Sequence, residues 1–177
     1  MTNRLELVEL EIQRHKWSDM LCGCGESAAH VPALLLELAG QAEEGGGIDY
    51  DGVARHVVSP ASMFLEVAPP VVSVGMAVLA SETPVYARYA YLQMVLFLLS
   101  AEGQAQVPAL EGRDVAAECE AEARRGLWTL YSEVLAGGSI DTAGYAYEIL
   151  TLIEEDEDRL ERLQAAAGER LPWDLRS

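Results

Sequence analysis

Lysine is almost missing from this chain. Only Lys16 stands among 12 basic residues, and these face 29 acids, leaving a net charge of −17. No basic surface remains for nucleic-acid phosphate or for an anionic membrane. Cysteine is scarce too. Three thiols, Cys22, Cys24 and Cys119, are too few and odd in number for a disulfide framework, so a reducing cytoplasm is the expected location. Long hydrophobic runs are also lacking: the uncharged stretches 67–81 and 89–101 are 15 and 13 residues long. A membrane span needs about 18 or more. The N-terminus, Met1-Thr-Asn-Arg-Leu-Glu-Leu-Val-Glu, has no unbroken apolar segment of the secretory kind. Alternating strands joined by hairpin dipeptides are not found either, which argues against a β architecture. Catalytic signatures are missing in the same way: there is no GxSxG, no HExxH and no Walker-type loop. Gly45-Gly-Gly47 lacks the Lys and Ser/Thr of a phosphate loop and reads as a connector.

What is present is hydrophobic and helical. Half of the 177 residues are hydrophobic, enough for one domain with its own core. Charge is uneven. Residues 1–59 carry ten acids and four bases (−6), residues 60–110 three and one (−2), and residues 111–177 sixteen and seven (−9). The middle third is therefore the expected core, flanked by solvated acidic parts.

Helix signals recur along the chain. Leu5, Val8 and Ile12 form an apolar stripe in an opening helix. Ser27 caps a helix running to Gly40, and residues 41–47 form a polar loop. Asp49 caps a short helix through His56. Ser59-Pro60 opens a segment to about Ser81, expected to bend at Pro69-Pro70, and Thr83-Pro84 opens a helix to about Leu99. Residues 103–112 form a loop. Asp114 starts one long helix to about Leu135, Gly137-Gly138 stops it, and Ser139 or Asp141 caps the next. The segment 83–99 is apolar on nearly every side and must be covered on several faces.

Ala87-Arg-Tyr-Ala-Tyr91 recurs as Ala143-Gly-Tyr-Ala-Tyr147, 56 residues later, each after a tight turn and an apolar first helix. With Leu65–Leu79 as a proline-bent first helix and Thr83-Pro-Val-Tyr-Ala-Arg-Tyr-Ala-Tyr-Leu as turn and second helix, this resembles the HEAT-repeat family of α-solenoids. The spacing exceeds that family's usual repeat of roughly 40–47 residues, and its inter-helix turn residues are matched only in part, by Val85 and Arg88. The resemblance implies an all-α fold: a small α-solenoid of antiparallel HEAT-like helix pairs, one domain over 1–177, with candidate repeats at 25–58, 59–102 and 112–156. A closed helical bundle is the alternative. The resemblance also implies that second helices line a concave face. Tyr86, Arg88, Tyr89, Tyr91, Tyr145, Tyr147 and Glu148 are then candidate binding residues. Residues 89 and 91 lie about 200° apart on a helix, so one of each tyrosine pair faces the core.

Four further features have plainer alternatives. His15, Cys22, Cys24 and His30 fall within 16 residues and are the residue types that hold zinc. Their spacing departs from a CxxC pattern, and a tight turn with buried thiols accounts for them equally, so no metal or cofactor is assigned. The acidic run 154–158 precedes Arg159 and Arg162 at i,i+4 spacing and reads as a solvated helix face. Trp17, Trp128 and Trp173 read as core or edge packing. Residues 171–175 fold back over an exposed hydrophobic end, or else dock a partner.

The expected function is that of a non-catalytic protein-binding module. Its partner is basic or neutral, and a neutralising, immunity-type role is one form of it. The alternative is a small-molecule binder using a tyrosine-lined groove between helices 83–99 and 139–153.

Overall fold

The structure, a computed structural model, describes residues 4–58, 65–100, 110 and 112–177. Among them the fold is all-α. Helix α1 (Glu6–Gln13) buries Val8 and Ile12 of the expected stripe. A 3-10 turn at Trp17–Asp19 follows, and then a tight loop closed by the bridge between Leu21 and Ser27. Ser27 caps the 3-10 turn Ala28–His30 rather than the helix itself, its Oγ accepting from the Ala29 N–H at 3.3 Å, and α2 (Val31–Gly40) follows with His30 at its N-cap position. Asp49 caps α3 (Tyr50–Val57), accepting from the Gly52 N–H at 2.8 Å. Next come α4 (Ala68–Leu79), α5 (Val85–Leu99), α6 (Val115–Arg125), α7 (Leu127–Ala136), α8 (Ile140–Ile153) and α9 (Glu157–Ala167). Asp114, Ser139 and Asp156 cap α6, α8 and α9. The Ser59-Pro60 cap and most of the 103–112 loop lie outside the described residues.

Three local expectations are corrected. Pro69 and Pro70 do not bend a helix; they occupy the first turn of α4. Proline belongs there, because the N–H it lacks has no intrahelical acceptor in that turn. Thr83 does not cap α5. Pro84 holds the N-cap position, and the Thr83 hydroxyl donates back to the Val78 carbonyl at 3.0 Å. The single long helix over 114–135 is two, α6 and α7, meeting at Gly126. A Cβ on Gly126 would lie 2.6 Å from the Met76 sulfur, so the break lies where α4 leaves no room for a side chain.

The described part of the low-charge middle third, residues 65–100, supplies the two central helices, as its low charge predicts. Every residue of α4 is buried, and α4 packs against α1, α5, α6 and α7. Helix α5 is covered by α2, α3, α4, α6 and α8. Gly75 lets α4 and α5 approach closely, since a Cβ there would lie 3.0 Å from a Val95 methyl. The two Ala-x-Tyr-Ala-Tyr segments lie on α5 and α8, which pack together with Ala87, Ala90, Ala143 and Ala146 all buried. Their contacts advance together, Val85 beside Gly138 and Gln93 on Tyr145, so the two helices run in the same general direction.

The C-terminal segment folds back as anticipated. Leu171 is fully buried, Pro172 covers Gly144 of α8, and the Gln164 amide donates to the Leu175 carbonyl at 2.9 Å. Of the three tryptophans, one is core, one packs at the edge and Trp173 departs from the packing expectation. Trp17 is buried, its indole N–H donating to the Ile12 carbonyl at 2.8 Å, but Trp128 is 64% and Trp173 83% exposed. Trp128 is held at the surface by the Arg159 guanidinium, 5.1 Å above its ring.

Candidate functional site

Of the candidate binding residues, Tyr86 and Tyr89 line a groove of about 580 Å³ between α3, α5 and the start of α8. The other lining residues are Glu44, Asp49, Tyr50, Asp51, Val85, Gln93, Ser139 and Asp141, so four acids and three tyrosines meet with no cation among them. Local structure brings the acids there. Asp49 is the N-cap of α3, Asp51 and Asp141 sit in the first turns of α3 and α8, and the 41–47 connector carries Glu44. Helix N-termini favour such placement.

The tyrosines register this environment. The Tyr86 hydroxyl is held above its usual pKa by burial and then by the nearby carboxylates of Glu44 and Asp49. Tyr89 is raised by burial, by its contact with Tyr145, and by Asp141 and Glu44. Tyr50 is raised by burial and by Asp51. Tyr89 and Tyr145 meet edge to face at 5.5 Å, and the Gln93 amide donates to the Tyr145 hydroxyl at 3.4 Å. Tyr145 thus buttresses the groove. Glu148 lies one helical turn further along, beside Asp141, Tyr145 and Pro172 in an adjoining hollow.

Three candidates do not present a surface. Tyr91 is fully buried, its hydroxyl donating to the Leu35 carbonyl at 2.7 Å, and Tyr147 is 7% exposed. The helical angle between residues 89 and 91 requires one of the pair to face inward, and the inward members are Tyr91 and Tyr147. Arg88 is taken up by Glu133, a 1%-exposed carboxylate on α7, to which its Nε donates at 3.0 Å. Its Nη1 donates to the Ser81 carbonyl.

A second constellation lies at the far end of α3. Cys22 Sγ stands 3.5 Å from His30 Nε2 and 3.0 Å from His56 Nδ1. Cys24 Sγ is 3.8 Å from His30 Nε2, and the two imidazole nitrogens are 3.2 Å apart. All four atoms fall within 4.8 Å of one another. His15 is not among them. It lies just past α1, where its Nε2 contacts Ser73 Oγ at 2.8 Å and its ring packs against Trp17. His56 takes that place, 34 residues from Cys22 along the chain. No spacing rule signals that pairing, because packing of α3 against the loop creates it.

Gly23 sets the geometry. Its N–H donates to the His56 carbonyl at 2.9 Å, and a Cβ there would lie 2.1 Å from the Arg55 carbonyl oxygen and 2.2 Å from that of Val58. Only glycine lets the loop lie this close to the end of α3. Gly25, at φ +89°, then turns the chain so that its N–H donates to the Cys22 carbonyl at 2.9 Å. Burial pushes the Cys22 thiol up to about 11 against the opposing effect of the Cys24 backbone N–H, so the free thiol is a poor nucleophile at neutral pH. Burial also lowers the His56 pKa, with His30 and Arg55 reinforcing it, which favours the neutral imidazole. Cys119, fully buried in α6, stands apart from both sites. No family model, curated protein or solved structure matches this chain.

Proposed function

We propose that the protein is a non-catalytic protein-binding module whose partner presents a basic surface, with a neutralising, immunity-type role as its specific form. The observation that carries this reading is the groove in which Glu44, Asp49, Asp51 and Asp141 surround Tyr50, Tyr86 and Tyr89 with no counter-charge. Carboxylates around aromatic faces suit an arginine or lysine side chain, combining charge-assisted hydrogen bonds with cation–π contact. Tyrosine supplies amphipathic contact area at little entropic cost. The net charge of −17 speeds encounter with a basic protein in a cytoplasmic setting. In the same reading, the segments 25–58, 59–102 and 112–156 are HEAT-like repeats of a small solenoid, and their second helices α3, α5 and α8 present the groove.

The test is capture from host extract by the protein and by its Glu44→Gln/Asp51→Asn/Asp141→Asn variant. The expected result is a basic protein retained at low salt by the first and lost by the second, at equal thermal stability. Retention of nothing, or equal retention by both, overturns the reading. A second reading rests on size, because about 580 Å³ matches a small-molecule site. Cationic metabolites are its natural ligands, and a thermal-shift screen with polyamines and amino-acid amides separates it from the first. Stabilisation by several degrees favours a ligand groove.

A further inference from the structure

We propose that Cys22, Cys24, His30 and His56 bind one zinc ion as a closed Cys2His2 site that pins the 21–30 segment to the end of α3. The inference is independent of the groove. The chain has only three cysteines and three histidines, and four of these six gather at one point.

Geometry argues for a shared centre rather than for chance proximity. With metal–sulfur bonds of about 2.3 Å and metal–nitrogen bonds of about 2.0 Å, a tetrahedron has sulfur–nitrogen edges of about 3.5 Å and a nitrogen–nitrogen edge of about 3.3 Å. Three of the four sulfur–nitrogen separations are 3.0, 3.5 and 3.8 Å, the nitrogens are 3.2 Å apart, and the remaining pairs lie within 4.8 Å. Hydrogen bonding alone serves the cluster poorly. Each neutral imidazole offers one donor and one acceptor, and a thiol is weak in both roles. Four convergent heteroatoms therefore share few protons.

The donor set selects the metal. Two thiolates with two imidazoles in a tetrahedral arrangement suit zinc and exclude the oxygen-seeking magnesium and calcium. Two thiolates also neutralise the dication, so the bound site carries no net charge into its half-buried position. Four protein donors leave no place for water, so the role is structural. The loop geometry serves this end: Gly23 brings Cys22 against His56, and the turn from Ala28 to His30 delivers the second imidazole beside both thiols.

Metal analysis of the full chain purified without a polyhistidine tag tests the proposal, followed by cobalt(II) titration of the metal-depleted protein. One equivalent of zinc is expected. Cobalt(II) is expected to give the intense visible bands of a tetrahedral site with thiolate-to-metal charge transfer. Cys24→Ser removes an exposed ligand and leaves the fold intact by circular dichroism, while affinity falls at least about 100-fold. His56→Ala is expected to lose the metal, and His15→Gln to keep it. Less than a tenth of an equivalent together with a pale octahedral cobalt spectrum overturns the proposal, as does full metal retention by folded Cys24→Ser.

Discussion

Arg88 and Glu133 show what one side chain decides. The carboxylate is almost fully enclosed, and the guanidinium of α5 is its charge partner. Truncating Arg88 leaves a buried, unpaired charge, so Arg88→Ala is expected to cost about 3–5 kcal/mol in urea unfolding. Arg88→Met combined with Glu133→Leu is expected to recover most of that. An Arg88→Ala loss below 1 kcal/mol would show the carboxylate to be solvated. Glu154 makes a pH-dependent contribution. The Arg159 guanidinium, with the Tyr131 hydroxyl and the Asp156 N–H, holds its carboxyl down at about 2 against the opposing effect of burial. A carboxylate with a depressed folded pKa stabilises the fold above its ordinary value of 4.5 and loses that contribution as pH falls towards 2. The melting-temperature gap between wild type and Glu154→Gln is therefore expected at pH 7, shrinking below about pH 4 and closing near pH 2. A gap that is constant with pH would contradict the assignment.

At the scale of elements, close approach rather than propensity sets where helices meet. Gly23 is the clearest case, because a methyl there collides with two carbonyl oxygens at the end of α3. Gly23→Ala is expected to cost at least about 2 kcal/mol and to separate the 21–27 loop from α3. Hydrogen exchange at the Gly23 amide reads this directly: the wild type protects it through the bond to His56, and the variant does not. The C-terminal segment is a packing element as well. Leu171 is wholly enclosed, so Leu171→Ala is expected to cost about 2–4 kcal/mol, whereas Trp173→Ala, at an exposed position, is expected to change stability by less than about 0.5 kcal/mol. The reverse order would mean that the segment docks through its tryptophan.

For the whole molecule, the dominant fact is the charge of −17 on a chain of 177 residues. Ion pairs such as Arg14 with Glu122 and Arg113 with Glu118 neutralise some of it, but the excess remains and repels itself. Raising salt from about 0.01 M to about 0.15 M shortens the screening length from about 30 Å to about 8 Å. The melting temperature is therefore expected to rise with salt across that range, followed by differential scanning calorimetry. A fall would mean that attractive surface pairs outweigh the repulsion. No described helix is long and apolar enough to cross a membrane.

Sequence alone determined the helical class, most caps and the burial of the middle third, because these depend on local chemistry and on periodicity. Asp49, Asp114 and Ser139 hold the N–H groups their positions predict, and the uncharged stretches supplied α4, buried throughout, and most of α5, buried along several faces. Sequence also marked Cys22, Cys24 and His30 as unusual, and Tyr89 against Tyr91 as facing opposite ways. Tertiary structure decided what distance along the chain conceals. His56 replaced His15 beside the thiols because α3 docks on the Gly23 turn, and the continuous helical pattern is divided at Gly126, where Met76 leaves no room for a side chain. Glu44, Asp49, Asp51 and Asp141 became one surface only when α3 and α8 came to lie on either side of α5. Such contacts arise from the packing of faces, and helical periodicity specifies which face is apolar but not which partner meets it.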